Sequence, residues 1–134
     1  MKDRRATARV AWIASALWMG VIFALSSVPA DSMPPGEYGS FGHFGVYLVL
    51  GALYFMALGG RRRGMWAVAL AVVLASAYGV SDEFHQAFVP GRVPDPADWA
   101  MDTAGALTGA LTALGATTWL SARKAGNDDA RDRQ

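Results

Sequence analysis

Four long apolar runs, set apart by short clusters of charge, constrain this chain more than any other feature. A helix rises about 1.5 Å per residue, so crossing a hydrocarbon layer about 30 Å thick takes roughly 20 apolar residues. The first run extends from about Val10 to Val28 and carries no charge. The second extends from about His43 to Gly59. The third spans Met65 to about Tyr78 and reaches Phe84 if Asp82 and Glu83 are carried at its end. The fourth extends from near Trp99 to near Leu120 and holds one acid, Asp102. With 53% hydrophobic and 17% charged residues, the chain has less charge than a soluble domain of this size needs on its surface. The reading is an all-α polytopic membrane protein, a four-transmembrane-helix bundle forming one domain.

The placement of the basic residues gives the expected orientation. Lys2, Arg4, Arg5 and Arg9 precede the first run, Arg61, Arg62 and Arg63 separate the second from the third, and Arg123, Lys124, Arg131 and Arg133 follow the fourth. The other two connections hold one basic residue, Arg92. By the positive-inside rule both termini are cytoplasmic, in a multi-pass protein of the inner (cytoplasmic) membrane. Residues 1–9 form a basic N-terminus, 10–120 the membrane domain, and 121–134 a polar tail expected to be disordered. Pro29 to Gly42 reads as an outer loop. Met1 to Ala30 has some character of a cleavable signal peptide, but its apolar stretch exceeds the usual 7–15 residues, which favours a retained helix. Basic residues occur as membrane-flanking clusters, so no nucleic-acid partner is expected. With no cysteine, thiolate chemistry and cysteine metal sites are excluded.

Ionisable side chains within membrane spans are costly and point to function by default. In the alternating topology His43, Asp82, Glu83, Gln86 and Asp102 fall at one depth, the outer leaflet. Glu83 and Gln86 share a helical face at i,i+3, as do Asp82 and Gln86, His43 and Tyr47, and Asp98 and Asp102 at i,i+4. Ser26 and Ser27 end the first run at the same level. Asp95-Pro96-Ala97-Asp98 has the form of a helix start, with Asp95 as N-cap and Pro96 at the first helical position. Asp102 lies beyond the unpaired N–H groups of that first turn, so capping does not account for it. His85 points away from the face of Glu83 and Gln86 and reads as interfacial. Arg92, beside seven acids (Asp31, Glu37, Asp82, Glu83, Asp95, Asp98, Asp102), is expected to pair with one of them or with an anionic head group. Gly105, Gly109 and Ala113 form a small-residue stripe suited to close helix packing.

These residues, taken in order, resemble the VanZ-like family of small bacterial membrane proteins. The stretches that carry the resemblance are Ser26-Ser27 with Pro29, His43-Phe44 with Tyr47, the run Gly79 to Arg92 (GVSDEFHQAFVPGR), and Asp98 through Asp102 to Gly105 and Gly109, spanning residues 22–112. The family pattern often has a Lys shortly before the His, where this chain has Ser40, Phe41 and Gly42, and commonly Asn where this chain has Asp102. The family is linked to low-level resistance to the glycopeptide teicoplanin, which implies work at the cell envelope without implying a reaction.

Three functions are open at this point. The first is binding of a membrane lipid head group, or a lipid-linked cell-wall precursor, through His43, Glu83, Gln86, Arg92, Asp98 and Asp102, with no cofactor. The second is an interfacial hydrolase or transferase acting on such a lipid, with general acid–base groups or a metal drawn from His43, Glu83, Asp98 and Asp102. No sequence signature calls for a metal: there is no His-Glu-x-x-His, and the two histidines are far apart. The third is a structural module held by buried polar pairs. An oligomer is compatible with each.

Overall fold

The computed structural model describes residues 2–32 and 38–133. Among them are four α-helices: α1 Lys2–Ser26, α2 Tyr38–Ala57, α3 Met65–Gln86 and α4 Pro96–Asp132. Single 3-10 turns lie at Ala30–Ser32 and Gly60–Arg62. The chain is thus all-α, with one helix for each apolar run. Two helices are long and apolar enough to cross a membrane: α1 over Arg5–Ser26, with mean hydropathy 1.7, and α3, with mean hydropathy 1.5. The apolar part of α2, Phe41–Ala57, is shorter.

Helix ends depart from the apolar runs in two places. α2 begins at Tyr38, so His43 lies in its second turn instead of opening it. Pro34, Pro35, Gly36 and Glu37 of the expected outer loop lie outside the described residues. The tail expected to be disordered is instead the exposed last part of α4, which continues to Asp132. No proline interrupts residues 121–132, and surface contacts that need no tertiary core support the helix. Arg123 stacks on the Trp119 ring at 4.7 Å, and Arg133 pairs with Asp129 at 2.8 Å one turn away. Elsewhere the sequence signals act as written. Asp95, in extended conformation, accepts the Ala97 N–H at 2.8 Å with Pro96 following. Gly59, at φ 102°, takes the left-handed conformation that turns the chain between α2 and α3.

The helices alternate in direction. Phe44 and Leu48 of α2 meet Gly105 and Gly109 of α4 in the same order, so α2 and α4 run parallel. α1 and α3 also run parallel, since Met19 accepts from Tyr78 and Ser27 bonds His85. α3 runs antiparallel to α4, with Ser76 against Thr103 and Gly79 against Asp102. The most extensive contact is α2 on α4, while α1 lies mainly on α2.

The core holds Ile22, Tyr47, Leu50, Tyr54, Phe55 and Val68 together with Ala67, Ala71, Ala75, Ala106 and Ala110. Small residues dominate the faces of α3 and α4 that enter it. In lipid no hydrophobic force drives helices together, so close backbone approach and interhelical hydrogen bonds do that work. Gly105 packs on the Phe44 backbone, Gly109 on the Leu48 backbone, and Gly51 of α2 on Ala106. Trp18 Nε1 donates to Val46 O at 2.8 Å, Tyr78 Oη to Met19 O at 2.8 Å and Trp99 Nε1 to Ser76 O at 3.2 Å, joining α1 to α2, α3 to α1 and α4 to α3.

A side chain at Gly105 or Gly109 has no room. Gly105→Val or Gly109→Val is expected to lower stability in detergent by about 1–3 kcal/mol through overpacking, read as a lower thermal midpoint. Gly115→Val, on the same helix with open space around it, is expected to be neutral.

Candidate functional site

The α1 and α3 C-terminal ends and the α2 and α4 N-terminal ends meet at one end of the bundle, and the polar residues of the sequence collect there. His43, on α2, lies against the first turns of α4. Its Nδ1 is 2.9 Å from Asp102 Oδ1 and its Nε2 is 3.9 Å from Asp98 Oδ2. An ionised carboxylate only accepts, so with Asp102 charged Nδ1 carries a proton and donates it to Asp102 Oδ1. Asp102 is fully buried, and only 11% of the His43 side chain is exposed. The seam of Gly105 and Gly109 lets α2 approach α4 closely enough for this contact to form one turn away.

Glu83 and Asp82 enter from the last turn of α3. Glu83 Oε2 accepts the Asp95 backbone N–H at 2.8 Å, tying the end of α3 to the start of α4. Gln86 is buried and its Nε2 is 3.5 Å from Asp82 Oδ2, at the limit of a hydrogen bond. His43, Glu83 and Asp102 each offer one ligand atom, a ring nitrogen or a carboxylate oxygen, all within 4.8 Å of one another. Four buried oxygens at this end have no partner among the described residues: Tyr47 Oη, Asp82 Oδ1, Glu83 Oε1 and Asp102 Oδ2. Tyr47 is completely buried and lies in the field of Asp102, Asp82 and Glu83.

Over residues 11–119 the sequence matches the profile of the VanZ/LLP1 family. This chain belongs to the VanZ/LLP1 family. The match is wider than the 22–112 stretch that carries the motif, and takes in most of α1 and the apolar part of α4. No curated protein and no solved structure matches the chain.

The structure sorts the VanZ-like motif residues into two groups. His43, Glu83 and Asp102 are brought together, with Asp98 beside His43 and Gln86 joined through Asp82. Of the two partners expected for Arg92, an acid or an anionic head group, the acid is not found. Arg92 makes no ion pair with an acid among the described residues; its Nε donates to Val28 O at 3.2 Å, while Ala30 N donates to Pro90 O at 3.2 Å. The segment after α3 thus clasps the end of α1. His85 also turns to α1. The Ser27 hydroxyl donates to Phe23 O at 2.7 Å and accepts from His85 Nε2 at 3.0 Å, and the His85 ring lies 4.3 Å from that of Phe23. Ser26 bonds its own helix at Ile22 O.

Tyr47 and Asp82 belong to the layer although neither was among the candidate ligand-binding residues. Their signals were present as the i,i+4 pairs His43–Tyr47 and Asp82–Gln86. Gly79 left no such signal. A Cβ there would lie 2.9 Å from Asp102 Oδ2 and 3.3 Å from Trp99 Cδ1, so its lack of a side chain makes space for Asp102.

Gly79→Ala is therefore expected to displace Asp102 and lower the thermal midpoint, despite the better helix propensity of Ala. Gly20→Ala, with nothing within 4 Å, is expected to be neutral or stabilising by up to about 1 kcal/mol. Thermal unfolding of the two variants in the same detergent makes the comparison.

Proposed function

We propose that this VanZ/LLP1 chain binds the head group of a membrane lipid, or of a lipid-linked cell-wall intermediate, at the outer leaflet, and through it affects susceptibility to glycopeptides such as teicoplanin. The observation that carries this reading is the set of buried oxygens that have no partner among the described residues, at the end of the bundle where all four helices meet. A buried polar group left unsatisfied costs about 1–3 kcal/mol. Interhelical hydrogen bonds in membranes return only about 0.6 kcal/mol each on average. A layer serving only to hold helices together would be net unfavourable with four oxygens left open, so the residues are better explained by a ligand. His43 and the clasped Arg92 supply cationic or donor contacts to an anionic group. Glu83, Gln86, Asp98 and Asp102 take the hydroxyl or amide groups of a sugar or peptide.

A crossing by all four helices, with both termini cytoplasmic, completes the reading. It is supported by the alternating helix directions and by the basic residues at the other end. The chain has no cysteine, so single introduced thiols report it cleanly. Val93→Cys, at an exposed site, is expected to react with a membrane-impermeant maleimide on whole cells, and Arg62→Cys only after lysis. Labelling of Arg62→Cys on intact cells would reverse the topology.

Ligand binding is tested by unbiased lipid identification on protein purified in mild detergent. A head-group class enriched with the wild type is expected to fall to background with Glu83→Ala, and Arg123→Ala is expected to retain it. Equal lipid profiles for wild type and Glu83→Ala would refute the proposal. The His43–Asp102 pair beside Glu83 supports a second reading, an interfacial hydrolase or transferase using an oriented imidazole as base. Turnover of the enriched lipid by the purified protein, lost with His43→Gln, would select it.

A further inference from the structure

Three carboxylates of the layer are buried: Asp82 at 3% exposed, Glu83 at 8% and Asp102 at 0%. The cation to balance them does not come from Lys or Arg, because Arg92 is turned to Val28 and makes no ion pair among the described residues. Among the described residues His43 alone pairs with one of them. Burying uncompensated carboxylates costs several kcal/mol per ion, so the layer takes up positive charge in some form. Protonation would quench one oxygen at a time. A divalent cation answers several together, and the donors for it are already gathered.

We propose that His43, Glu83 and Asp102 bind one divalent transition-metal cation of the Mn²⁺ or Zn²⁺ class, and that an anionic oxygen of the head group completes its coordination. Their donor atoms lie within 4.8 Å of one another, so a single ion placed among them can reach all three. The unpartnered oxygens make an observation separate from that clustering. Asp102 Oδ2 and the Tyr47 hydroxyl belong to fully buried side chains and have no protein partner among the described residues. Both are at the cluster: Asp102 is one of its members, and Tyr47 lies in the field of the carboxylates. Glu83 divides its carboxylate in the same sense, with Oε2 held by Asp95 N–H and Oε1 open.

The donor chemistry selects the ion. Ca²⁺ and Mg²⁺ prefer all-oxygen shells, whereas one imidazole nitrogen with carboxylate oxygens suits Mn²⁺ or Zn²⁺. Around the donors are groups able to orient them: Asp98 near the His43 ring, the Asp95 N–H on Glu83, and Gly79 making room behind Asp102. Three protein ligands leave coordination positions open, and in this place they face the ligand assigned under Proposed function. The inference therefore rests on that reading for its second half and on the protein alone for its first.

The test uses the full chain in detergent, stripped with chelator and titrated with Mn²⁺. Saturable binding of one ion per chain is expected, with a ¹⁴N modulation in the pulsed electron paramagnetic resonance of bound Mn²⁺ that reports the imidazole. His43→Gln is expected to abolish the ¹⁴N signal. Glu83→Gln and Asp102→Asn, close in shape to the native residues, are expected to weaken binding by about tenfold or more, and Zn²⁺ to displace Mn²⁺. Size-exclusion profile and helical circular dichroism identify folded variants, and Arg123→Ala is the neutral control. Absence of saturable Mn²⁺ binding to the folded wild type overturns the metal site, as does binding with a ¹⁴N signal that survives in folded His43→Gln. Lipid enrichment that depends on Glu83 but is unchanged by chelation overturns coordination of the ion by the head group, and leaves the head-group reading standing. Metal binding without any enriched lipid sustains the ion and removes only the head-group oxygen.

Discussion

Backbone-to-backbone contact between α2 and α4 is the interaction on which the rest of the structure depends. Gly51, Gly105 and Gly109 bring the two helix axes close, with backbone instead of side chains at the meeting points. Everything chemically distinctive is set out from that seam. Its continuation one turn toward the N-terminal ends places His43 against Asp102. Because α2 and α4 run parallel, both present amino ends to the layer, and the partial positive charge of the α4 terminus favours the carboxylates of Asp95 at its cap and Asp98 in its first turn. α3 then closes the layer from the third side, its Ala67, Ala71, Ala75 and Gly79 face small enough to lie flat.

The number and alternation of the helices were legible because both follow from hydropathy, a property of residues summed along a segment. The cap at Asp95 was legible for the same local reason: the residue types needed for an N-terminus stand side by side in Asp95-Pro96. What was not legible depends on long-range geometry. Arg92 was expected by its charge to find an acid or an anionic head group, but the loop brings its Nε to the Val28 carbonyl just after α1. Tyr47 is apolar enough to pass as core from sequence, and only the meeting of three helices shows its hydroxyl to be buried without a partner. The end of α4 misled for a different reason. A polar segment without a core to join reads as disordered, yet nothing in residues 121–132 breaks a helix already propagating from the bundle.

Membership of the VanZ/LLP1 family and the layer geometry bear on each other. The motif residues from three separate stretches of sequence become a few side chains around one small volume, and those which do not enter it have a structural duty. His85, in the last turn of α3, and Arg92, in the segment after it, fasten α1, the helix with the least contact to α3, to the end of α3 and to that segment. The motif thus combines two tasks that sequence alone presents as one.

Glu83 deserves a last consequence. One oxygen of its carboxylate holds the backbone N–H of Asp95, the very residue whose side chain begins α4; the other oxygen is buried with no partner among the described residues. A single rigid group therefore belongs both to the polar layer and to the connection between α3 and α4. Rotation of that carboxylate to meet an arriving charge would slacken the start of α4 and, through the same short segment, the clasp on α1.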